Sequence, residues 1–391
     1  MKILILHNEY QQYGGEDTVV KNEVQLLQNA GHSVHVEIIS NHQISGIWSK
    51  LSAALGLVFS WKSYISVKKL IKELKPDVVH VHNFFPLWSP SIFYACKSLH
   101  VPVILTLHNY RTLCPTALLM HDGKVIEKSI TDGPWWSVSK KVYRDSLLGT
   151  FLLALMISIH RYLDTWNKQV SKFIVLTQFA KAKFSSAGFS ENKILVKPNF
   201  VDIDFDQNQK NLDSTFLYVG RLSEEKGITT LKKAIEKNNA LKVTVVGTGP
   251  QEEELSHSNF NHLGKQSLES VFNQMQKHMV LVMPSIWYEG FPMTLVEAYA
   301  NGLPVIASRI GALEELVEHQ VTGLLFEAGN PDSLAQTMQW ALDHPQEMYQ
   351  MGLNARKKYE QSYTAQNNLQ QLEDIYMDAI QSCKIMRDQI K

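Results

Sequence analysis

Three cysteines in 391 residues, Cys96, Cys114 and Cys383, are scattered and form no C-x-x-C pair. That leaves no disulfide framework and no cysteine-rich zinc site, and it fits a reduced compartment. Net charge is missing as well, with 38 Lys and Arg against 38 Asp and Glu. No 20–50-residue period and no low-complexity tract appears, so a repeat array is set aside. The apolar core LLGTFLLALMISI (147–159) has thirteen residues, short of the roughly 20 that cross a bilayer. The opening MKILILHNEY has no small-residue cleavage site and reads as a first buried strand rather than a signal peptide.

What is present is a globular composition, 45% hydrophobic and 19% charged. The length suggests two or three domains, with core enough to need no metal or disulfide. The balanced charge is unevenly spread. Residues 1–185 hold 20 Lys and Arg against 12 Asp and Glu, and residues 186–391 hold 18 against 26. A basic half beside an acidic half implies that the first half faces something anionic: nucleic acid, an anionic membrane surface or a lipid-linked phosphate.

Apolar, β-branched runs without alternation predict buried parallel strands: KILILHN (2–8), HSVHVEII (32–39), DVVHVHN (77–83), VPVILTLHN (101–109) and SKFIVLT (171–177). The pattern restarts with STFLYVG (214–220), LKVTVVG (241–247), MVLVMPS (279–285) and LPVIAS (303–308), separated by amphipathic segments. The fold class is therefore α/β, with two Rossmann-like parallel-sheet domains in tandem. The polar stretch KPNFVDIDFDQNQKNLDS supplies a linker. The expected boundaries are 1–196, a linker over 197–213, 214–365, and a last helix over 366–391. Ligands of open α/β sheets bind beyond the carboxyl ends of strands, so an inter-domain cleft is the expected site.

One segment breaks the pattern. The apolar core of residues 135–166 is flanked by Trp135, Trp136, Lys140, Lys141 and Arg144, and LSAALGLVFSW (51–61) is followed by five lysines. Two readings stand: buried helices, or an amphipathic surface that meets membrane or a lipid acceptor.

Several loops carry candidate chemistry. In GRLSEEKG (220–227), Arg221 and Lys226 follow a strand and suit a diphosphate, unless Lys226 pairs with Glu224 or Glu225. VVGTGPQEEEL stops short of a dinucleotide fingerprint, because Glu252 stands at the third glycine position. Gly14 and Gly15 let backbone N–H groups approach an anion at a helix N-terminus. His82 and His108 end two strands, as cleft-lining or as packed residues. DIDFD (202–206) is an Asp-x-Asp pattern in the linker rather than at a strand end, and no metal is expected there. In EGFPMTLVE (289–297), Thr294 and Glu297 match a capping box, which predicts a helix over 295–301 closed by Gly302. That leaves Glu289, Gly290 and Phe291 unexplained. A Gly–Pro loop entering a helix offers free N–H groups to an anion, and carboxylates accept from hydroxyls, so the stretch suits a nucleotide-sugar.

EGFPMTLVEAYANGLPVIAS resembles the E-x7-E region of glycosyltransferase family 4, the group 1 glycosyl transferases. YGGEDTVV, NAGHSVHV, KPDVVHVHN, PVILTLHNYRTLCP, KPNFVD, YVGRLSEEKGI, VVGTGP and GLLFEAGNPDSLA follow in the family's order over nearly the whole chain. The HNYRTLCP variant is similar to members that build bacterial surface polysaccharides.

The resemblance implies a GT-B fold and a retaining hexosyl transfer from a UDP- or GDP-sugar to a glycan or lipid-linked saccharide, with neither metal nor cofactor. It also implies a cytoplasmic protein, at most peripheral on the inner membrane, that binds no nucleic acid. Carried across, Glu297 holds the ribose. Glu289 and the segment Gly290, Phe291, Pro292, Met293, Thr294 and Leu295 hold the sugar. Arg221 and Lys226 neutralise the diphosphate, and His108 lines the sugar near the reacting centre. Gly14, Gly15, His82, Asn109, Asn199, Gly220 and Gly247 complete the binding set. Phe200 departs from the glycine that many members carry in KPNFVD. Two rivals remain on the same fold: an epimerase, which would convert the nucleotide sugar without releasing nucleotide, and a binding member without turnover.

Overall fold

Runs such as KILILHN stay apolar at every position because they become parallel strands covered on both faces. A computed structural model describes residues 1–9, 14–40, 56–203 and 213–389. The expectations for residues 51–55 and for Asp204–Asp206 lie outside the described residues. The chain divides into two units. The first comprises Met1–His121, Ile126–Pro198 and Asn368–Lys391, and the second Asp122–Val125 with Asn199–Asn367.

In the first unit, β1 (Lys2–Glu9), β2 (Ser33–Ser40), β3 (Val78–Asn83), β4 (Val103–Thr106), β5 (Lys172–Val175) and β6 (Ile194–Val196) form a parallel sheet in the order β2-β1-β3-β4-β5-β6. Helix α1 (Gly15–Asn29) follows β1, and α2 (Leu147–Tyr162) lies between β4 and β5. In the second unit, β7 (Asp213–Val219), β8 (Val243–Val246), β9 (Phe260–His262), β10 (His278–Met283), β11 (Val305–Ser308) and β12 (Gly323–Phe326) form a second parallel sheet, ordered β9-β8-β7-β10-β11-β12. Helix α3 (Met293–Ala300) follows β10, and α4 (Ala365–Asp388) closes the described chain.

Leu372, Ile375, Tyr376 and Ala379 recur at three- and four-residue spacing along α4, so one stripe of the helix is apolar. That stripe packs with Ile3, Ile5, Val20, Leu27, Val78, Ile104 and Ile174 in the first unit's core. A second core, built around Phe216, Val280, Ile306, Leu324 and Met338, fills the other unit.

In each sheet the chain runs outward on one side of the first strand and returns on the other. The switch points lie between β1 and β3 and between β7 and β10, where the following loops diverge and leave a crevice for a ligand. Strand β4 is shorter than VPVILTLHN predicts. It ends at Thr106, and the chain turns where the Arg111 N–H donates to Asn109 Oδ1 at 2.9 Å.

Candidate functional site

At the second unit's switch point, two loops are built against one another. Val219 pairs with Val246, which sets Gly220 beside Gly247. Gly247 has φ +140°, and a Cβ there would lie 1.9 Å from the Gly220 carbonyl oxygen. Gly227, at φ +72°, is held as closely by the Pro284 carbonyl. Ile286 N–H donates to Glu225 O at 3.0 Å, tying the loop after β10 to the loop after β7. Only glycine admits these approaches.

This scaffold brings Lys226 to Glu289. Lys226 Nζ lies 2.8 and 3.0 Å from the two carboxylate oxygens, and Ser285 Oγ donates to Oε1 at 2.7 Å. Glu289 is 4% exposed. The partner of Lys226 is therefore neither Glu224 nor Glu225, and Glu225 instead accepts from Ser223 Oγ at 2.6 Å. Arg221 is exposed, with no side-chain partner among the described residues. Its carbonyl accepts from the buried Tyr218 hydroxyl at 2.8 Å. Burial first, then Glu289 and Glu225, raise the Tyr218 pKa, so that hydroxyl keeps its proton.

The capping box does not form. Helix α3 starts two residues earlier than predicted, with Pro292 as N-cap and no side-chain capping bond. Thr294 lies inside the first turn, and Glu297 is released from any capping role. At the far end, Gly302 does close the helix, with φ +61°. Glu297 is half-buried, with no side-chain partner among the described residues, and burial pushes its pKa up to about 7. A carboxyl whose pKa burial displaces in this way is a functional candidate.

Met293 and Thr294 N–H lie in the first turn, where no intrahelical acceptor exists. Pro292 has no N–H to offer. Leu295 drops out of the expected set, because its side chain is fully buried and its N–H donates to Pro292 O at 3.1 Å. Phe291 packs against Tyr363 at 5.9 Å between centroids. Asn199 and Phe200 are both buried, and Asn199 Oδ1 has no hydrogen-bond partner among the described residues.

In the first unit, the loop after β1 is closed by Asp17. One carboxylate oxygen accepts from Gly14 N–H and the other contacts His7 Nε2, both at 2.8 Å. The Gly14 amide is thus already engaged rather than free for an anion, and Gly15 borders open space.

His80 pairs in register with Ile104, which places His82 beside Thr106 and His108 one step beyond. Side chains two apart share a face. His80 accordingly meets Thr106 Oγ1 at 2.7 Å, and His82 Nδ1 meets His108 Nε2 at 3.1 Å. His82 is buried behind His108, which is half-buried. Burial, above all, pushes the His108 pKa down to about 3, with His7 and Lys197 adding to it against Glu23 and Asp17.

Behind the two histidines, Glu23 Oε2 lies 3.4 Å from His82 Nε2, and Glu23 Oε1 accepts from Lys197 Nζ at 2.6 Å. Lys197 also donates to Asn368 Oδ1 at 3.2 Å. Glu23, His80 and His82 are near enough to share a metal ion. Their bonding argues against one, since both His80 nitrogens are engaged, by Thr106 and by Tyr376 at 2.8 Å, and Lys197 already places a positive charge on one oxygen of Glu23. The sequence reading missed Glu23 and Lys197. The signal for Glu23 was its place on the apolar face of α1, three residues after Val20 and four before Leu27.

Segment 135–166 is buried along part of α2 and exposed at its start. Leu153, Ala154, Met156 and Ile157 of α2 are buried. At the helix start, Leu147, Leu148 (61%) and Phe151 (39%) are exposed with Trp135 (46%), whose ring lies 5.7 Å from that of Phe151. Lys140, Lys141 and Arg144 are exposed nearby in sequence. Among the described residues, no helix is long and apolar enough to cross a membrane.

Comparison with known proteins completes the picture. The model of Glycosyltransferase Family 4 matches residues 13–205, and that of Glycosyl transferases group 1 matches residues 200–358. An uncharacterized 42.6 kDa protein in the cps region of Klebsiella pneumoniae is 24% identical over 81% of this chain and 87% of its own. A UDP-Gal:alpha-D-GlcNAc-diphosphoundecaprenol alpha-1,3-galactosyltransferase of Escherichia coli is 28% identical over 83% and 81%. The crystal structure of Anabaena HepE in complex with UDP superposes with a TM-score of 0.68 at 17% identity, covering 96% of this chain and 99% of that one, a likeness of fold. With two parallel Rossmann-like sheets and both family models matched in sequence, the chain belongs to the group 1, family 4 glycosyltransferases of GT-B fold.

Proposed function

We propose that this glycosyltransferase moves a hexosyl group, with retention at the anomeric carbon and without a metal, from a UDP- or GDP-sugar to a hydroxyl of a glycan or lipid-linked saccharide in bacterial surface polysaccharide synthesis. The observation that carries the donor assignment is Glu297: a half-buried carboxyl within α3, with no side-chain partner among the described residues, eight positions after the Glu289 that pairs with Lys226. Its oxygens are disposed to accept from the two ribose hydroxyls. The Met293 and Thr294 amides suit the sugar, and exposed Arg221 with Lys226 suits the diphosphate, supplying the charge that a metal supplies elsewhere.

As the glycosidic C–O bond breaks, these cations stabilise the departing nucleoside diphosphate. The acceptor oxygen bonds to the anomeric carbon from the same face, and its proton passes to the leaving phosphate oxygen. The galactosyltransferase relative, named for a UDP-sugar and a diphosphoundecaprenol acceptor, supports the uridine form and a lipid-linked acceptor. The cps-region relative supports the polysaccharide setting. A lipid-linked acceptor also gives the exposed apolar start of α2 a use, as a peripheral contact on the cytoplasmic face of the inner membrane.

The test is calorimetric titration of UDP and then GDP, with EDTA present, into the native chain and Glu297→Ala. One nucleotide binds without metal, and the substitution weakens it at least about tenfold, the scale of hydrogen bonds to a charged group. If neither nucleotide binds, or if Glu297→Ala alters only the melting temperature, the ribose assignment fails.

A further inference from the structure

His82 and His108 share one hydrogen bond, Nδ1 to Nε2 at 3.1 Å. Both rings are neutral at pH 7, because burial drives both pKa values down. A neutral imidazole carries one proton, on one nitrogen or the other. A single proton therefore lies between the rings, and either ring can own it.

The far side of His82 decides which. Its Nε2 faces Glu23 Oε2 at 3.4 Å, and neither atom has a hydrogen-bond partner among the described residues. Glu23 is ionised. Burial works to raise its pKa, but Lys197, chiefly, outweighs it with smaller help from His80 and His108. A bare Nε2 would set a lone pair against a buried carboxylate, whereas a proton there makes the contact attractive. His82 must then accept at Nδ1, so His108 donates from Nε2. The remaining nitrogen, Nδ1 of half-buried His108, has no partner among the described residues.

We propose that Glu23 is a positioning residue which, through His82, fixes the proton of His108 on Nε2 and so presents His108 Nδ1 as a hydrogen-bond acceptor for a hydroxyl of the sugar. This rests on the proposed sugar transfer and on the family resemblance, which implies that His108 lines the donor sugar. It narrows the substrate class, since a bare imidazole nitrogen takes the hydrogen of a neutral hexose hydroxyl and has nothing to give a uronate carboxylate at that place.

Glu23→Gln tests the relay. Lys197 offers only donors, so the amide oxygen stays toward it and the NH₂ group turns to His82. His82 Nε2 then becomes an acceptor, its proton moves to Nδ1, and the proton of His108 is displaced from Nε2 to Nδ1. No ring gains or loses charge, and a substitution two residues removed converts the outward acceptor into a donor.

The measurement is a long-range ¹H–¹⁵N spectrum of the full chain labelled at histidine, with His108 assigned from His108→Gln. In the native chain, Nε2 of His108 resonates as a protonated nitrogen and Nδ1 as a bare one, and in Glu23→Gln the two exchange places. A protonated Nδ1 in the native chain overturns the proposal, as does a folded Glu23→Gln with an unchanged pattern. The native spectrum decides by itself if the variant does not fold. Sugar transfer, assayed alongside, separates the two claims. The expected pattern without transfer from any UDP- or GDP-sugar supports the relay and sinks the transferase reading, whereas transfer with the opposite pattern sinks the relay alone.

Discussion

Glu297 carries a carboxyl that is unpaired among the described residues, and burial lifts its pKa to about 7 from an ordinary 4.5. The folded chain therefore keeps this proton over a range where the unfolded chain has lost it. The stabilisation is whole below about pH 4.5 and disappears as pH rises through about 7. At about 1.4 kcal/mol per pKa unit, ionising it in the folded state costs roughly 3 kcal/mol by pH 8. Glu297→Gln removes the titration. Its stability relative to the native chain should rise by about 2–3 kcal/mol between pH 4.5 and pH 8 in urea melts, while nucleotide affinity falls. A difference that does not change with pH would show that the carboxyl does not titrate there.

Lys226 raises the opposite question, because its partner Glu289 is buried and nearly saturated. Lys226→Ala should destabilise the second unit by about 3–5 kcal/mol through the stranded carboxylate. It should also raise the reaction barrier by about 2–4 kcal/mol, the loss expected for one charged stabiliser. Glu289→Gln beside it should restore much of the stability. Turnover is then scaled to the folded fraction of Lys226→Ala, and a native rate per folded molecule would confine Lys226 to a structural role.

At the scale of elements, the loops after β7, β8 and β10 are built against one another, and glycines permit their close approach. Gly247→Ala would drive a Cβ into the Gly220 carbonyl at a φ that side chains rarely adopt. A loss of about 2–4 kcal/mol is expected, with a matching fall in melting temperature. An unperturbed melt would mean that the two loops move apart freely.

The long central strands were legible because burial on both faces leaves an unbroken apolar run. Besides a two-stranded pairing of Met120–His121 with Lys124–Val125, the strands that were not anticipated are β6, β9 and β12, all edges of their sheets and three or four residues long. Such short runs carry no period. The capping box misled because Thr294 and Glu297 have the right spacing, but Pro292 fixes φ near −75° and starts the helix two residues sooner. Glu289 and Lys226 could be singled out because they follow strand ends, and Glu297 because it lies in the helix that the Glu289 loop enters. Glu23 and Lys197 were not, because their pairing spans 174 residues and no local pattern announces it.

At the scale of the whole chain, the basic balance of residues 1–185 coincides with the segment that carries exposed Trp135, Leu147, Leu148 and Phe151 beside Lys140, Lys141 and Arg144. Exposed apolar side chains with exposed cations close by in sequence suit an anionic bilayer. Each cation near such a surface contributes about 1 kcal/mol, and a Leu or Phe side chain taken out of water about 1.5–3 kcal/mol. Screening separates the two contributions, because the Debye length falls from about 8 Å at 0.15 M salt to about 3 Å at 1 M. The chain should therefore float with anionic vesicles at 0.15 M salt and less so at 1 M. Leu148→Ser with Phe151→Ser should weaken binding at both salts, whereas Lys140→Glu with Lys141→Glu should weaken it mainly at low salt. These side chains are exposed, so neither pair should shift the melting temperature by more than a degree or two. A native chain that stays with the unbound fraction at both salts would leave these exposed side chains without a membrane role, and the acceptor would then have to be reached in solution.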